Sequence, residues 1–257
     1  MSEAAGALLF ARYAYPPNAL GLCGADSPRT LLEYGDAGES DGGLAELART
    51  FEGAWPYLTL IAEANRIDDP LDPRVVEAYW VGNDLLARVP PGTLARHVRE
   101  RFRGRLGSAG ESIPSIVAAG AVPHHCFHVF ALYPWLGLLR SGIVDEPLHV
   151  LDQCRTTPAL VLAVEGESAD VLAEPLLWDE GRLRLGEPAP RRVRWSDGLR
   201  AFTRPQPGDL VSLHWDFVCD VLTSQAAARL AGVTRRVLTA VNEGATTLHR
   251  VNAGGGV

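Results

Sequence analysis

The chain has 257 residues, 47% of them hydrophobic and 21% charged, a globular mixture that excludes disordered and fibrous classes and is long enough to bury a substantial core. Its formal charge of −7 argues against a dedicated nucleic-acid binder, and no lysine occurs, so every side-chain cation is arginine. No apolar run reaches the length of a membrane span.

The first 150 residues carry helical periodicity. GALLFARYAY reads as an apolar helix stopped by Pro16-Pro17. LAELARTFEGAWPYLTLIAEANRI spaces its apolar residues three and four apart, with a kink expected before Pro56. DPRVVEAYWVGNDLLARV offers Asp72 as a cap and Pro73 in the first turn, and ends before Pro90-Pro91. TLARHVRERFRGRLG, whose basic cluster from Arg96 to Arg105 reads as a solvated face, and HHCFHVFALYPWLGLLRSG complete about five helices. YGDAGESDGG and GRLGSAGESIPS are the loops between them.

Near residue 150 the period shortens to that of strands. ALVLAVEGESADVLAE is two apolar runs across an acidic turn, and LLWDEGRLRLGE is a hairpin around Glu180-Gly181. RRVRWSDG and DLVSLHWDFV alternate, the latter after the turn signal QPGD. SQAAARLAGVTRRVLTAVNEG is a final helix before a glycine-rich tail. The expected fold is therefore α+β, with a helical domain over residues 1–150. A small OB-like β-barrel with a C-terminal helix follows over 151–257. The opening residues MSEAAGALLFARYAYPP carry an acid where a secretory signal carries bases. Cys23, Cys126, Cys154 and Cys219 form no CxxC pair. A cytoplasmic protein with reduced thiols is expected, with neither nucleic acid nor membrane as partner.

CRTTPALVLAVEG places Cys154 four residues before a proline and a valine-rich strand ending in a glycine turn. ESADVLAE follows as a second strand. PQPGDLVSLHWDFVCDVLTSQAAARL combines a PGD turn, an apolar strand, His214, Phe217 and an amphipathic helix. In these motifs residues 151–231 resemble the HypC/HupF family of nickel–iron hydrogenase maturation chaperones; the first 150 residues do not. The resemblance implies a non-catalytic chaperone or carrier, whose Cys154 and His214 help pass an Fe(CN)2CO-type iron fragment to the hydrogenase large subunit. Its implied partners are that subunit and other maturation factors, and no tightly bound cofactor is expected. This chain departs from the family in holding its cysteine internally, and in having Arg155-Thr156-Thr157 before the proline and Asp216 after the histidine.

The residues carry a chemistry of their own. Thiolate and imidazole together suit iron, copper or zinc. Arg155 beside Cys154 would favour the thiolate. Read as one strand, VSLHWDF puts His214 and Asp216 on the same face, so that Asp216 could orient the imidazole. A second cluster, VPHHCFHVF, sets His124 and His128 one helical turn apart with Cys126 between them. His125 falls about a hundred degrees round that helix and is not expected to join them. Two other readings stand beside the carrier: a metal-binding protein or metalloenzyme centred on His124 and His128, and an interaction protein that keeps only the barrel. Cys23, in the aromatic and proline-rich YAYPPNALGLCG, is a further thiol that could approach the barrel.

Overall fold

The computed structural model describes residues 3–103, 110–198 and 202–253, with side chains from residue 5 to residue 244. Residues 104–109 of the predicted loop and basic cluster, and Gly254–Gly256 of the tail, lie outside the described residues. Helices fill the first part: α1 (Glu3–Ala19), α2 (Pro28–Ala37), α3 (Gly42–Arg49), α4 (Trp55–Asn65), α5 (Pro73–Trp80), α6 (Pro91–Arg101), α7 (Ile113–Ala118), the single turn α8 (His125–Phe127), α9 (Trp135–Arg140) and α10 (Asp145–Cys154). Asp72 caps α5, its carboxylate accepting from the Arg74 N–H at 2.9 Å.

Several helical expectations fail: LAELARTFEGAWPYLTLIAEANRI divides into α3 and α4, and in DPRVVEAYWVGNDLLARV the α-helix ends at Trp80, a 3-10 turn following over Asp84–Arg88. Pro16 and Pro17 do not stop α1, which runs through both. Each removes the N–H that would bond four residues back, so the carbonyls of Arg12 and Tyr13 lose their helical donors. The segment from His124 to Gly142 is not one helix either. His124 is extended (φ −118°, ψ 154°), α8 lasts three residues, a π-turn occupies His128–Leu132, and α9 starts afresh after Pro134.

The sheet part holds β1 (Thr157–Glu165), β2 (Ser168–Ala173), β3 (Leu176–Asp179), β4 (Arg182–Leu185), β5 (Ala189–Arg194), β6 (Leu210–His214) and β7 (Phe217–Leu222), followed by α11 (Ser224–Ala253). Five strands close into a barrel in the order β1-β2-β5-β7-β6, with β6 pairing back to β1. All pairs are antiparallel except β5 with β7. The hairpin β3–β4 stands apart and turns at Glu180-Gly181, both with positive φ. Asn242 of α11 ties it down, exchanging hydrogen bonds with the backbone of Leu183 at 3.1 and 2.8 Å.

Small aliphatic residues at alternate positions fill the barrel, among them Ala159, Val161, Ala169, Val171, Val193, Val211 and Val218. The larger core spreads through the helices and continues to Leu176, Leu183, Phe217, Cys219 and Leu230, so helices and barrel share apolar contacts across residue 150. α10 itself spans that position, and α1 lies against β6 and β7.

A candidate metal centre where helices meet barrel

Cys154 is the last residue of α10, and His214 the last of β6. His125 opens α8. All three are buried, and one ligand atom from each lies within 4.8 Å of the others. The sulfur of Cys154 is 4.0 Å from His125 Nε2, and the two imidazole centroids are 4.9 Å apart. Trp80 packs against both rings, 4.5 Å from His125 and 5.5 Å from His214, and Tyr13 stacks on Trp80 at 5.3 Å.

The state of His214 follows from α1. Its Nδ1 lies 2.7 Å from the Tyr13 carbonyl, the oxygen that Pro17 deprives of a helical donor. A carbonyl only accepts, so the ring donates from Nδ1 and leaves the Nε2 lone pair free. Nε2 has no hydrogen-bond partner among the described residues. Burial lowers the pKa of this histidine to about 4, against the opposing pull of the Tyr13 and Cys154 carbonyls, so the ring is neutral near pH 7. His125 is pushed well below its ordinary value, first by burial and then by His214 and His128. Its Nε2 is 2.8 Å from the Cys154 carbonyl and its Nδ1 3.1 Å from the Tyr79 hydroxyl.

The Cys154 thiol is pushed up to about 12, mainly by burial and then by the neighbouring Cys23; the Trp215 indole acts in the opposite sense. Arg155 does not make it a thiolate, because its guanidinium is engaged elsewhere. It is 1% exposed, bonds Asp152 at 2.9 Å and also donates to the Glu174 carbonyl. Asp152 accepts from the Leu176 N–H at 2.8 Å and pairs with Arg191, which in turn pairs with Asp216. Arg155 and Asp216 are thus fasteners between α10 and the sheet. Asp216 does not orient His214, because β6 ends at that histidine. Trp215 and Asp216 form a two-residue turn with φ of 52° and 54°, and Phe217 opens β7 opposite His214. The turn breaks the alternation that would put both side chains on one face.

The second cluster separates. His124, outside the helix, accepts the Cys126 N–H on Nδ1 at 3.1 Å and is lowered by burial to about 3. Cys126 faces Thr234 at 3.6 Å. His128, carried away by the π-turn, packs against Tyr57, Phe102 and Tyr133. The member of this motif that reaches the barrel is His125. Its signal in sequence is weak, because the irregular helix start that aims it can only be suspected from Pro123.

A cavity of about 300 Å³ lies over the three ligands, walled mostly by apolar and aromatic groups, with Cys23, Trp80, Trp215 and Glu146 in its lining. Leu22 and Cys23 also line an adjoining pocket of about 500 Å³. Trp80 has a buried indole nitrogen without a hydrogen-bond partner among the described residues, while the Trp215 indole is turned to the Cys154 sulfur. Two neutral imidazoles and one protonated thiol form an uncharged set of ligands. It would take a thiophilic cation in exchange for the sulfur's proton.

The family model described as a family of unknown function, DUF6390, matches residues 2–247, so the chain belongs to that family. No curated protein and no solved structure matches it.

Proposed function

We propose that this DUF6390 protein is a carrier for a metal fragment, acting as an accessory chaperone in nickel–iron hydrogenase maturation. Cys154, His214 and His125 would hold an Fe(CN)2CO-type cargo destined for the hydrogenase large subunit. The observation that carries the reading is the convergence of a thiol from the approach to β1 and an imidazole from the end of β6 on one buried point. These are the two residues singled out by the resemblance to HypC/HupF chaperones.

Three further features support it. With the β3–β4 hairpin set aside, the barrel runs first-second-third-fifth-fourth, with third and fifth strands parallel, an order that supports reading it as OB-like. Three protein ligands leave a coordination position open, as handing over a cargo requires. The cavity walls suit small ligands such as carbon monoxide, and the unpaired Trp80 N–H group offers a donor to an acceptor such as cyanide. His125 gives the helical part a role in this reading: it adds a donor at an internal cysteine whose own nitrogen is an amide.

The test is an anaerobic pull-down from a hydrogenase-producing cell, with infrared spectra of the eluate in the region of bound carbon monoxide and cyanide. Large subunit or maturation factors should co-elute, and Cys154→Ala should abolish both the bands and client maturation, with His124→Ala mattering far less. Stoichiometric metal with no effect of Cys154→Ala on maturation would point to a resident metal centre. An effect of neither substitution would leave an interaction protein.

A further inference from the structure

The three residues that meet at the seam, Cys154, His125 and His214, are all buried. An ion held there is shielded from a receiving partner, yet a carrier must let it go. Leaving as a bare charge through an apolar cavity would be costly, so the ion needs a ligand to accompany it outward.

Cys23 is placed for that task. Of the four cysteines it is the one that is half-buried, the others being buried. It lines the cavity of about 300 Å³ together with Cys154 and His214, and it also lines the adjoining pocket of about 500 Å³. Its charge would bear on both Cys154 and Tyr79, which marks it as their near neighbour. It stands outside the set whose ligand atoms lie within 4.8 Å of one another, so an ion must move to reach its sulfur. The cavity also holds a separate sign of a guest: Trp80, 2% exposed, has an indole nitrogen without a partner among the described residues.

The loop that carries Cys23 is fixed. Asn18 donates from its side-chain amide to the carbonyls of Cys23 and Ala25 at 2.7 and 2.5 Å, and the Leu22 N–H donates to the Pro17 carbonyl at 2.9 Å. Gly24, with φ of 79°, lies against Phe51, whose ring would be 2.4 Å from an added Cβ. A thiol held this way stands beside the cavity at a high effective concentration.

We infer that Cys23 is a transit ligand, through which the cargo metal passes from Cys154 to a thiol of the receiving partner. The inference rests on the metal-carrier reading given above. No electrons move. The bond from the metal to the Cys154 sulfur breaks as one to the Cys23 sulfur forms, and the Cys23 proton passes to Cys154. In the second exchange the partner's sulfur takes the metal, and the proton of that thiol goes to Cys23.

The experiment loads the full chain with one equivalent of Zn²⁺ and mixes it with a dansyl-labelled peptide containing two cysteines, whose fluorescence reports transfer; equilibrium affinity is measured separately by zinc titration. Cys23→Ser should keep the zinc affinity within about threefold. It should slow transfer about tenfold, because a positioned ligand has been removed from the route. Leu22→Ala loosens the same loop but keeps the thiol, and should transfer at the wild-type rate. If Cys23→Ser does not fold, Cys23→Ala is read in the same way. Unchanged transfer in the Cys23 variant, or equal slowing in Leu22→Ala, would overturn the inference and leave the metal site standing. So would a loss of affinity as large as that of Cys154→Ala, which would make Cys23 a resident ligand. No zinc binding by the wild type would overturn both readings.

Discussion

The inside of the barrel and the seam where the helices meet it are both buried, yet they are built on opposite principles. Within the barrel the side chains are alanine, valine and leucine, with no atom that needs a hydrogen bond. At the seam His124, His125, His214, Arg155, Thr156, Thr157 and Ser212 are buried together. Apolar packing tolerates approximate fit, whereas every buried donor and acceptor must find a partner or cost free energy. The barrel therefore supplies rigidity, and the seam supplies chemistry at the expense of stability.

The contrast is broken most directly at Cys154. Cys154→Ala should abolish metal binding, read by zinc titration of the purified protein, while the melting temperature moves by less than about 5 °C, because a small buried side chain is replaced by another. A large loss of stability with metal binding intact would place the thiol with the packing residues instead.

Acid should attack the seam most. His124 and His214 have folded pKa values near 3 and 4, below the ordinary 6.5, and His125 shifts in the same direction. Between those values the unfolded chain binds more protons. Stability is therefore complete above pH 6.5 and falls as the pH drops toward 4, by about 1.4 kcal/mol per pH step for each histidine. Denaturant melts of metal-free protein across that window should show the slope, and His124→Asn should reduce it. A flat profile would mean that these rings are not held neutral.

Val171→Ala, inside the barrel, should cost about 2 kcal/mol in denaturant unfolding and leave the zinc affinity of the folded molecules unchanged. The smallest effect is expected at Pro17. Pro17→Ala restores an N–H that competes with His214 for the Tyr13 carbonyl, so zinc affinity should fall about tenfold, or about 1.4 kcal/mol, while α1 becomes no less stable. An unchanged affinity would show that the ring needs no such anchor.

The barrel side of this contrast is also the legible one. Strand alternation, the turn at Glu180-Gly181 and the change of period near 150 are local signals, and they mark the sheet. Cys154 and His214 are likewise visible as a pair. The seam is not, because each of its devices breaks a local rule. Two prolines continue a helix, a histidine cluster begins outside its helix, and a tryptophan and an aspartate occupy a turn that usually takes asparagine and glycine. A wheel projection assumes an unbroken helix and so sets His125 aside. Tertiary contacts override it: Tyr79 and the Cys154 carbonyl receive the ring where α8 begins.

The left-handed pair Trp215-Asp216 carries a practical consequence for anyone selecting hardier variants of this protein. Its backbone is held by the Gln153 carbonyl and the Arg194 amide, each across a 2.8 Å bond, in a shape that glycine would adopt with less strain. A heat-challenge library should therefore enrich glycine at 215, and the winners would lack the indole that walls the cavity beside the sulfur. Selection for endurance and selection for an intact cavity wall would pull that one position in opposite directions.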